Sequence, residues 1–277
     1  MSREFGFSRA DYDRVAAHVY RIAGIHLGES RMEMVYSRLS RELRRLGLDS
    51  FTAYLDYLDK AGQHEWTRFV NILTTNLTSF FREPHHFGIL SQRILPSAAR
   101  PVRIWSCGCA SGEEPYSIAI ACFEYFHDDA ASVRILATDI NTAMLQEAAA
   151  GVFASEKVEG LSQERVRRYF LNGSGAYAGQ VKVKDALRRS IEFRVLNLVQ
   201  PVWEIEEQFD AIFCRNVMIY FDKETQRRIL EKFVPLLKSG GLLIAGHSES
   251  FFHATDLFKL RGKTVYELAK KSAVRHG

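Results

Sequence analysis

The hydrophobic pattern of this chain changes period once, across residues 96–101, and that change divides the fold in two. Upstream, apolar residues recur every three or four positions, the spacing of amphipathic helices. Tyr12, Val15, Val19 and Ile22 form one such face, closed by Gly24. Ser8 and Asp11 have the spacing of a capping box, with Phe7 and Tyr12 placed as its hydrophobic staple. A second helix is predicted to start at Ser30, with Glu33 three residues on, and to present Met32, Val35, Leu39, Leu43 and Leu46 inward before Gly47 stops it. Two more are predicted over 50–58 and 66–73. Nothing before Arg93 has the period of a strand. Residues 1–93 therefore read as an all-helical domain, and 94–101, with Pro96 and Pro101, as a linker.

Beyond Pro101, short strand patterns alternate with helical ones. Strands are predicted over 102–105, 133–137, 209–214 and 242–245, and helices over 114–126, 141–150 and 223–237. This order implies a doubly wound α/β domain with a parallel sheet over 102–277. One stretch, about 161–190, breaks the alternation. A short helix over 162–169 is followed by Gly173, Gly175 and Gly179, then by the alternating Val181-Lys182-Val183-Lys184. That pattern predicts a hairpin, hence a small inserted antiparallel β-subdomain, with Lys182 and Lys184 on an edge strand.

The chain's 277 residues suit one large and one smaller domain. No run approaches the roughly 20 apolar residues of a membrane span, and residues 1–14 lack a signal-peptide core. The four cysteines, Cys107, Cys109, Cys122 and Cys214, are expected as reduced thiols in a cytoplasmic protein. Cys107 and Cys109 have no second ligand pair, so no metal is expected. A net charge of +4 does not argue for nucleic acid. Arg38, Arg41, Arg44 and Arg45 do crowd one short segment, either as a solvated face or as a docking face for an acidic partner.

The turn after the first predicted strand carries Gly108 and Gly112, where a ligand can approach the backbone closely. A helix start that binds phosphate stays free for an anion. Here Glu113 and Glu114 occupy it, which disfavours a pyrophosphate and favours a cationic ligand such as S-adenosylmethionine over NAD. Asp139, ending the second strand, is placed either to accept ribose hydroxyls or to cap the next helix. Gly240-Gly241 forms a turn before a later strand.

Four stretches together carry a family resemblance: Thr74-Thr75-Asn76-Leu77-Thr78-Ser79-Phe80-Phe81-Arg82-Glu83, Ser111-Gly112-Glu113-Glu114-Pro115-Tyr116-Ser117, Ala137-Thr138-Asp139-Ile140, and Phe213-Cys214-Arg215-Asn216-Val217-Met218-Ile219-Tyr220-Phe221. In order and spacing they resemble the chemotaxis receptor methyltransferases of the CheR family. The resemblance implies an all-helical N-terminal domain followed by a class I S-adenosylmethionine methyltransferase domain that esterifies receptor glutamates. It implies cofactor contacts from Asn76, Thr78 and Arg82, from Glu113 to the methionine amino group, and from Asp139 to the ribose. It places Asn197 and Leu198 at the adenine, and Arg215 and Asn216 near the methionine part. Arg82 and Tyr220 are the candidates for orienting the acceptor carboxylate. The four arginines would meet the receptor's helical methylation region, and Gly173, Gly175, Lys182 and Lys184 would grip a C-terminal receptor peptide. Two alternatives share these motifs: a non-catalytic module that binds cofactor and receptor, and a methyltransferase with another substrate. Methylation of exocyclic base amines is disfavoured, because the Pro-Pro-aromatic motif such enzymes carry is replaced here by Arg215-Asn216-Val217-Met218.

Overall fold

The structure, a computed structural model, describes residues 3–269. Its helical half consists of α1 (Arg9–Ala23), α2 (Met32–Leu46), α3 (Phe51–Lys60) and α4 (Gln63–Leu73). The capping box of α1 forms: the Ser8 hydroxyl accepts from Asp11 N, and the Asp11 carboxylate accepts from Ser8 N. Phe7 and Tyr12 meet edge to face at 6.3 Å. The capping box expected at Ser30 does not form. Residues 29–31 make a 3₁₀ turn instead, and α2 follows with Arg31 at its uncapped N-terminus. An Arg31 N to Gly28 O bond of 2.9 Å satisfies a terminal donor in place of a side chain. The four helices share one core around Val15, Leu39, Phe51, Leu55 and Phe69.

A further helix, α5 (His85–Ile89), runs on through a π-helical turn at Leu90–Ile94. Although it precedes the proline-flanked segment, its Phe87, Leu90 and Ile94 pack into the core of the α/β half. That half continues with β1 (Val102–Cys107), α6 (Glu113–Tyr125), β2 (Val133–Asp139), α7 (Thr142–Ala150), β3 (Val152–Ala154), α8 (Gln163–Tyr169), β4 (Phe170–Asn172), β5 (Gln180–Val183), α9 (Asp185–Arg188) and β6 (Ile191–Val195). It ends with β7 (Phe209–Cys214), α10 (Lys223–Leu236), β8 (Leu237–Ala245), β9 (Phe258–Leu260) and β10 (Val265–Leu268). The main sheet has the order β6-β2-β1-β7-β8-β10-β9. Its first five strands are parallel, and β10 and β9 close it antiparallel. Helices cover both faces, so the central strands are largely buried; every residue of β7 is buried. Strand order reverses at β1, and the C-terminal ends of β1, β2 and β7 open a crevice there, the place where doubly wound sheets bind ligands. Among the described residues, no helix is long and apolar enough to cross a membrane.

The inserted subdomain is a second sheet with the order β3-β5-β4. This corrects the expectation of an edge strand at Lys182 and Lys184. β5 is the central strand, paired antiparallel with β3 on one side and β4 on the other. Val181 and Val183 point into the core and Lys182 is exposed, but Lys184 lies past the strand end with its ammonium on the Arg167 carbonyl at 2.8 Å. The subdomain also starts earlier than expected, since β3 belongs to it. Gly173 has a packing reason: a Cβ there would lie 2.0 Å from the Tyr177 carbonyl oxygen. Gly175 takes a positive φ of 59° in the turn.

Candidate active site

The crevice at the strand ends is roofed by the helical half, giving a cavity of about 1040 Å³ including its mouth. The floor comes from the loops after β1, β2, β6 and β7. The walls come from residues 23–31 and from the segment 74–82 that joins α4 to α5. Hydrogen bonds tie roof to floor. His26 N donates to Tyr220 O at 2.8 Å, and the Asn197 amide donates to Ile22 O at 2.7 Å. The Asn141 amide donates to Asn71 O and to the Thr74 hydroxyl, at 3.0 and 2.7 Å. Gly108, at φ 73°, turns the chain under the cavity where a Cβ would lie 2.3 Å from a Val217 methyl.

Of the residues singled out in the sequence, Asn76, Thr78, Arg82, Asp139, Asn197, Leu198, Arg215, Asn216 and Tyr220 all line this cavity. Glu113 does not. It is fully buried on the far side of the α6 start, where its carboxylate meets Lys157 at 2.8 Å and the Ser111 hydroxyl at 2.6 Å. Its neighbour Glu114 takes the cavity wall instead. Successive helical residues point about 100° apart, and Gly112, left-handed at φ 100°, sets which of the two faces inward.

Asp139 accepts N–H bonds from Ala110 and Asn141, each at 2.8 Å. Burial pushes its carboxyl above the usual range, against the pull of those donors. The helix cap of α7 is supplied by Asn141, which accepts from Ala143 N and Met144 N, so capping is not what holds Asp139 here. Arg215 is buried beneath the cavity. One arm bonds Glu114 at 2.9 Å, the other donates to the Arg82 carbonyl and lies 3.6 Å from Glu83, and its Nε has no partner among the described residues. Burial raises the Glu114 carboxyl, while the Arg215 guanidinium and the Ser106 hydroxyl pull it down. Nearer the mouth, the Arg31 guanidinium sits 5.2 Å from the Tyr220 ring centroid.

The four arginines of α2 separate into different roles. Arg38 bonds the Ile72 and Thr74 carbonyls at 2.9 and 2.6 Å and so braces the chain entering the cavity wall. Arg44 pairs with Glu4, and Arg45 with Glu42 and Glu65. Both remain exposed, so the four arginines do not present one uniform set of free charges. Arg41 alone of the four is exposed without an ion pair among the described residues. It borders a groove, with Arg38, Thr75 and Leu77, that runs into the cavity mouth.

Sequence reasoning missed Arg31, Glu114 as the inward glutamate, and Glu249. Arg31 and Glu249 stand outside the quoted motifs. The position of Glu114, one residue along in Glu113-Glu114, could not be resolved without the helix phase.

The donor set fits one kind of ligand. Buried carboxylates (Glu114, Asp139) and guanidinium groups (Arg31, Arg82, Arg215) around an apolar slot suit a nucleoside joined to an amino acid. S-adenosylmethionine has that constitution, with a ribose diol, an ammonium and a carboxylate, and the unpartnered Arg215 Nε is a donor available to such a ligand. Fold and site together define the class of Rossmann-like S-adenosylmethionine-dependent methyltransferases.

Residues 10–74 match the model described as CheR methyltransferase, all-alpha domain, and residues 76–267 that described as CheR methyltransferase, SAM binding domain. Chemotaxis protein methyltransferase 2 of Pseudomonas aeruginosa is 48% identical over 270 residues, covering 97% of this chain and 96% of the relative. The chemotaxis protein methyltransferases of Klebsiella aerogenes and Escherichia coli are 47% and 44% identical; each alignment covers 98% of this chain, with 93% and 94% of the relatives. The chain belongs to the CheR methyltransferase family, and S-adenosylmethionine is its methyl donor.

Asp139→Ala should weaken binding of the product S-adenosylhomocysteine by about 1–3 kcal/mol. It removes an acceptor and leaves the Ala110 and Asn141 N–H groups unpaired. Calorimetry measures this; unchanged affinity would reduce Asp139 to a support of the loop.

Proposed function

We propose that this protein transfers the methyl group of S-adenosylmethionine to glutamate side chains of chemotaxis receptors, giving glutamyl methyl esters. The observation that carries the acceptor chemistry is the lining of the cavity: among the described residues it bears no histidine, lysine or cysteine, and its two carboxylates are already engaged, Glu114 by Arg215 and Asp139 by two backbone N–H groups. An amine or hydroxyl acceptor needs a base to remove a proton. A glutamate carboxylate, with a pKa of about 4.3, is already an anionic nucleophile at neutral pH.

S-adenosylmethionine supplies a methyl on a sulfonium, a good leaving group that departs as a neutral thioether. The protein's own work is then positioning, which can contribute roughly 7–11 kcal/mol when reacting groups are held near contact. Asn76, Thr78, Asp139, Asn197 and Leu198 hold the nucleoside side, and Glu114 and Arg215 the amino-acid side. Arg82 and Tyr220 orient the incoming carboxylate. The roof from the helical half excludes water from a step in which opposite charges are neutralised.

Receptor docking follows the exposed charge. Arg41 and the groove beside it favour an acidic helical region. A flexible receptor tail would add as a strand to the open edge of β4, beside exposed Leu171 and Tyr177, because β5 is paired on both sides. The four free, buried cysteines support action in the reducing cytoplasm.

The test is transfer of labelled methyl from S-adenosylmethionine to a receptor, followed by mild base. Release of labelled methanol is expected, because a carboxyl ester hydrolyses where an N-methyl group does not. Base-stable label, or none on any receptor of the host, would sink the acceptor assignment.

A further inference from the structure

Glu249 lies outside the cavity, yet its carboxylate accepts hydrogen bonds from four backbone N–H groups. One oxygen takes Val217 N at 2.9 Å and Met218 N at 2.7 Å; the other takes Asn216 N at 2.9 Å and Gly246 N at 2.5 Å. Three of those donors are consecutive residues of the loop after β7, and that loop presents Arg215, Asn216 and Val217 to the cavity. Asn216 sits at φ 60°, a left-handed conformation that few residues other than glycine and asparagine adopt readily. Four N–H groups aimed at one anion hold the loop in that shape. The same turn closes tightly on the loop: a Cβ at Gly246 would lie 2.6 Å from the Asn216 amide nitrogen and 2.9 Å from its backbone nitrogen.

The turn reaches the other wall as well. His247 bonds Glu83 through its ring Nδ1 at 2.9 Å, and Glu83 follows Arg82 in the chain. Glu83 in turn lies 3.6 Å from Arg215. Residues 246–249 thus engage the two segments that carry Arg82 and Arg215 into the cavity, without lining the cavity themselves.

We propose that Glu249 is a positioning residue for cofactor binding: its carboxylate, through the N–H groups of Asn216, Val217 and Met218, sets the loop that places Arg215 and Asn216. This rests on the methyltransferase reading of the cavity but not on the identity of the acceptor. Glutamine at this position keeps one acceptor oxygen and turns an amide donor toward the remaining N–H groups; alanine leaves all four unpaired.

The experiment measures the dissociation constant of S-adenosylhomocysteine and the melting temperature for Glu249→Ala, Glu249→Gln and a control, Asp210→Asn. Asp210 is a buried carboxylate bonded to Lys238 and to Arg103 N at the opposite end of the sheet. The expected result is affinity weakened tenfold or more in Glu249→Ala and by less in Glu249→Gln. Asp210→Asn should bind as wild type despite a comparable fall in melting temperature. In the Glu249 variants, the KM for S-adenosylmethionine should rise by a larger factor than kcat falls. Glu249→Gln binding within twofold of wild type would overturn the proposal, and it decides the matter if the alanine variant does not fold. Equal weakening in Asp210→Asn would also overturn it, by showing that any loss of stability has the same effect. A wild-type protein that binds S-adenosylhomocysteine but methylates no receptor would count against the acceptor assignment alone.

Discussion

Arg82→Ala is expected to lower the single-turnover rate of methyl transfer by about 10²–10³, the loss typical of removing one preorganised charged donor from a sheltered site. Tyr220→Phe is expected to cost about tenfold or less, since it removes one neutral hydroxyl. Both side chains line the cavity, but their states differ. Arg82 has no carboxylate partner among the described residues; one arm rests on the Leu77 carbonyl at 2.9 Å, leaving its charge available to an acceptor. Tyr220 is engaged by Arg31 across its ring. Rapid-quench measurement with saturating cofactor separates the two. Equal rates for both variants and wild type would remove these residues from the chemistry.

Arg215→Met is expected to destabilise the protein by about 3–5 kcal/mol, the cost of leaving buried charge without its partner. Glu114 and Glu83, each only 11% exposed, would face each other without the intervening cation. The loss should depend on pH. Burial already holds the Glu114 carboxyl above its ordinary value of 4.5, so the folded state keeps this proton to higher pH than the unfolded chain does. A carboxyl shifted upward favours the folded state in acid and loses that contribution as pH rises through its folded pKa. Without Arg215 the shift grows, so the deficit relative to wild type should be smaller at pH 5 than at pH 8. Urea denaturation at the two values measures it. An equal deficit at both would mean that Glu114 does not titrate between them.

The α/β half was legible in the sequence because parallel strands buried on two faces leave continuous apolar runs, as in 211–214, and their helices carry a separate period. The helical half was legible for the same reason, except at α2. There a 3₁₀ turn, which uses backbone donors only, replaced the capping box that Ser30 and Glu33 spell out. The central place of β5 was not legible. Its partner β3 is three residues long, too short to show alternation, and it follows α7 through a single glycine. In the site, Gly108 and Asp139 announced themselves by chemistry and position. Asn76 and Thr78 came only through family resemblance, since a polar stretch after a helix has no ligand signature of its own. Glu249 gave no signal because its partners are backbone groups, whose direction is a property of the loop and not of any residue's identity.

The bonds from Asn197 to Ile22 and from His26 to Tyr220 mean that neither half owns the cavity. Whatever occupies it touches both halves, so filling the site and keeping the halves together are one equilibrium viewed from two sides. The ligand should act as a clasp: saturation at 100 times the dissociation constant adds about 2.7 kcal/mol to the closed arrangement. The converse also follows. An α/β half cut free of α1–α4 would retain its sheet and its glycine turn, yet hold the nucleoside portion poorly, because the lid that completes the box would have left with the helices.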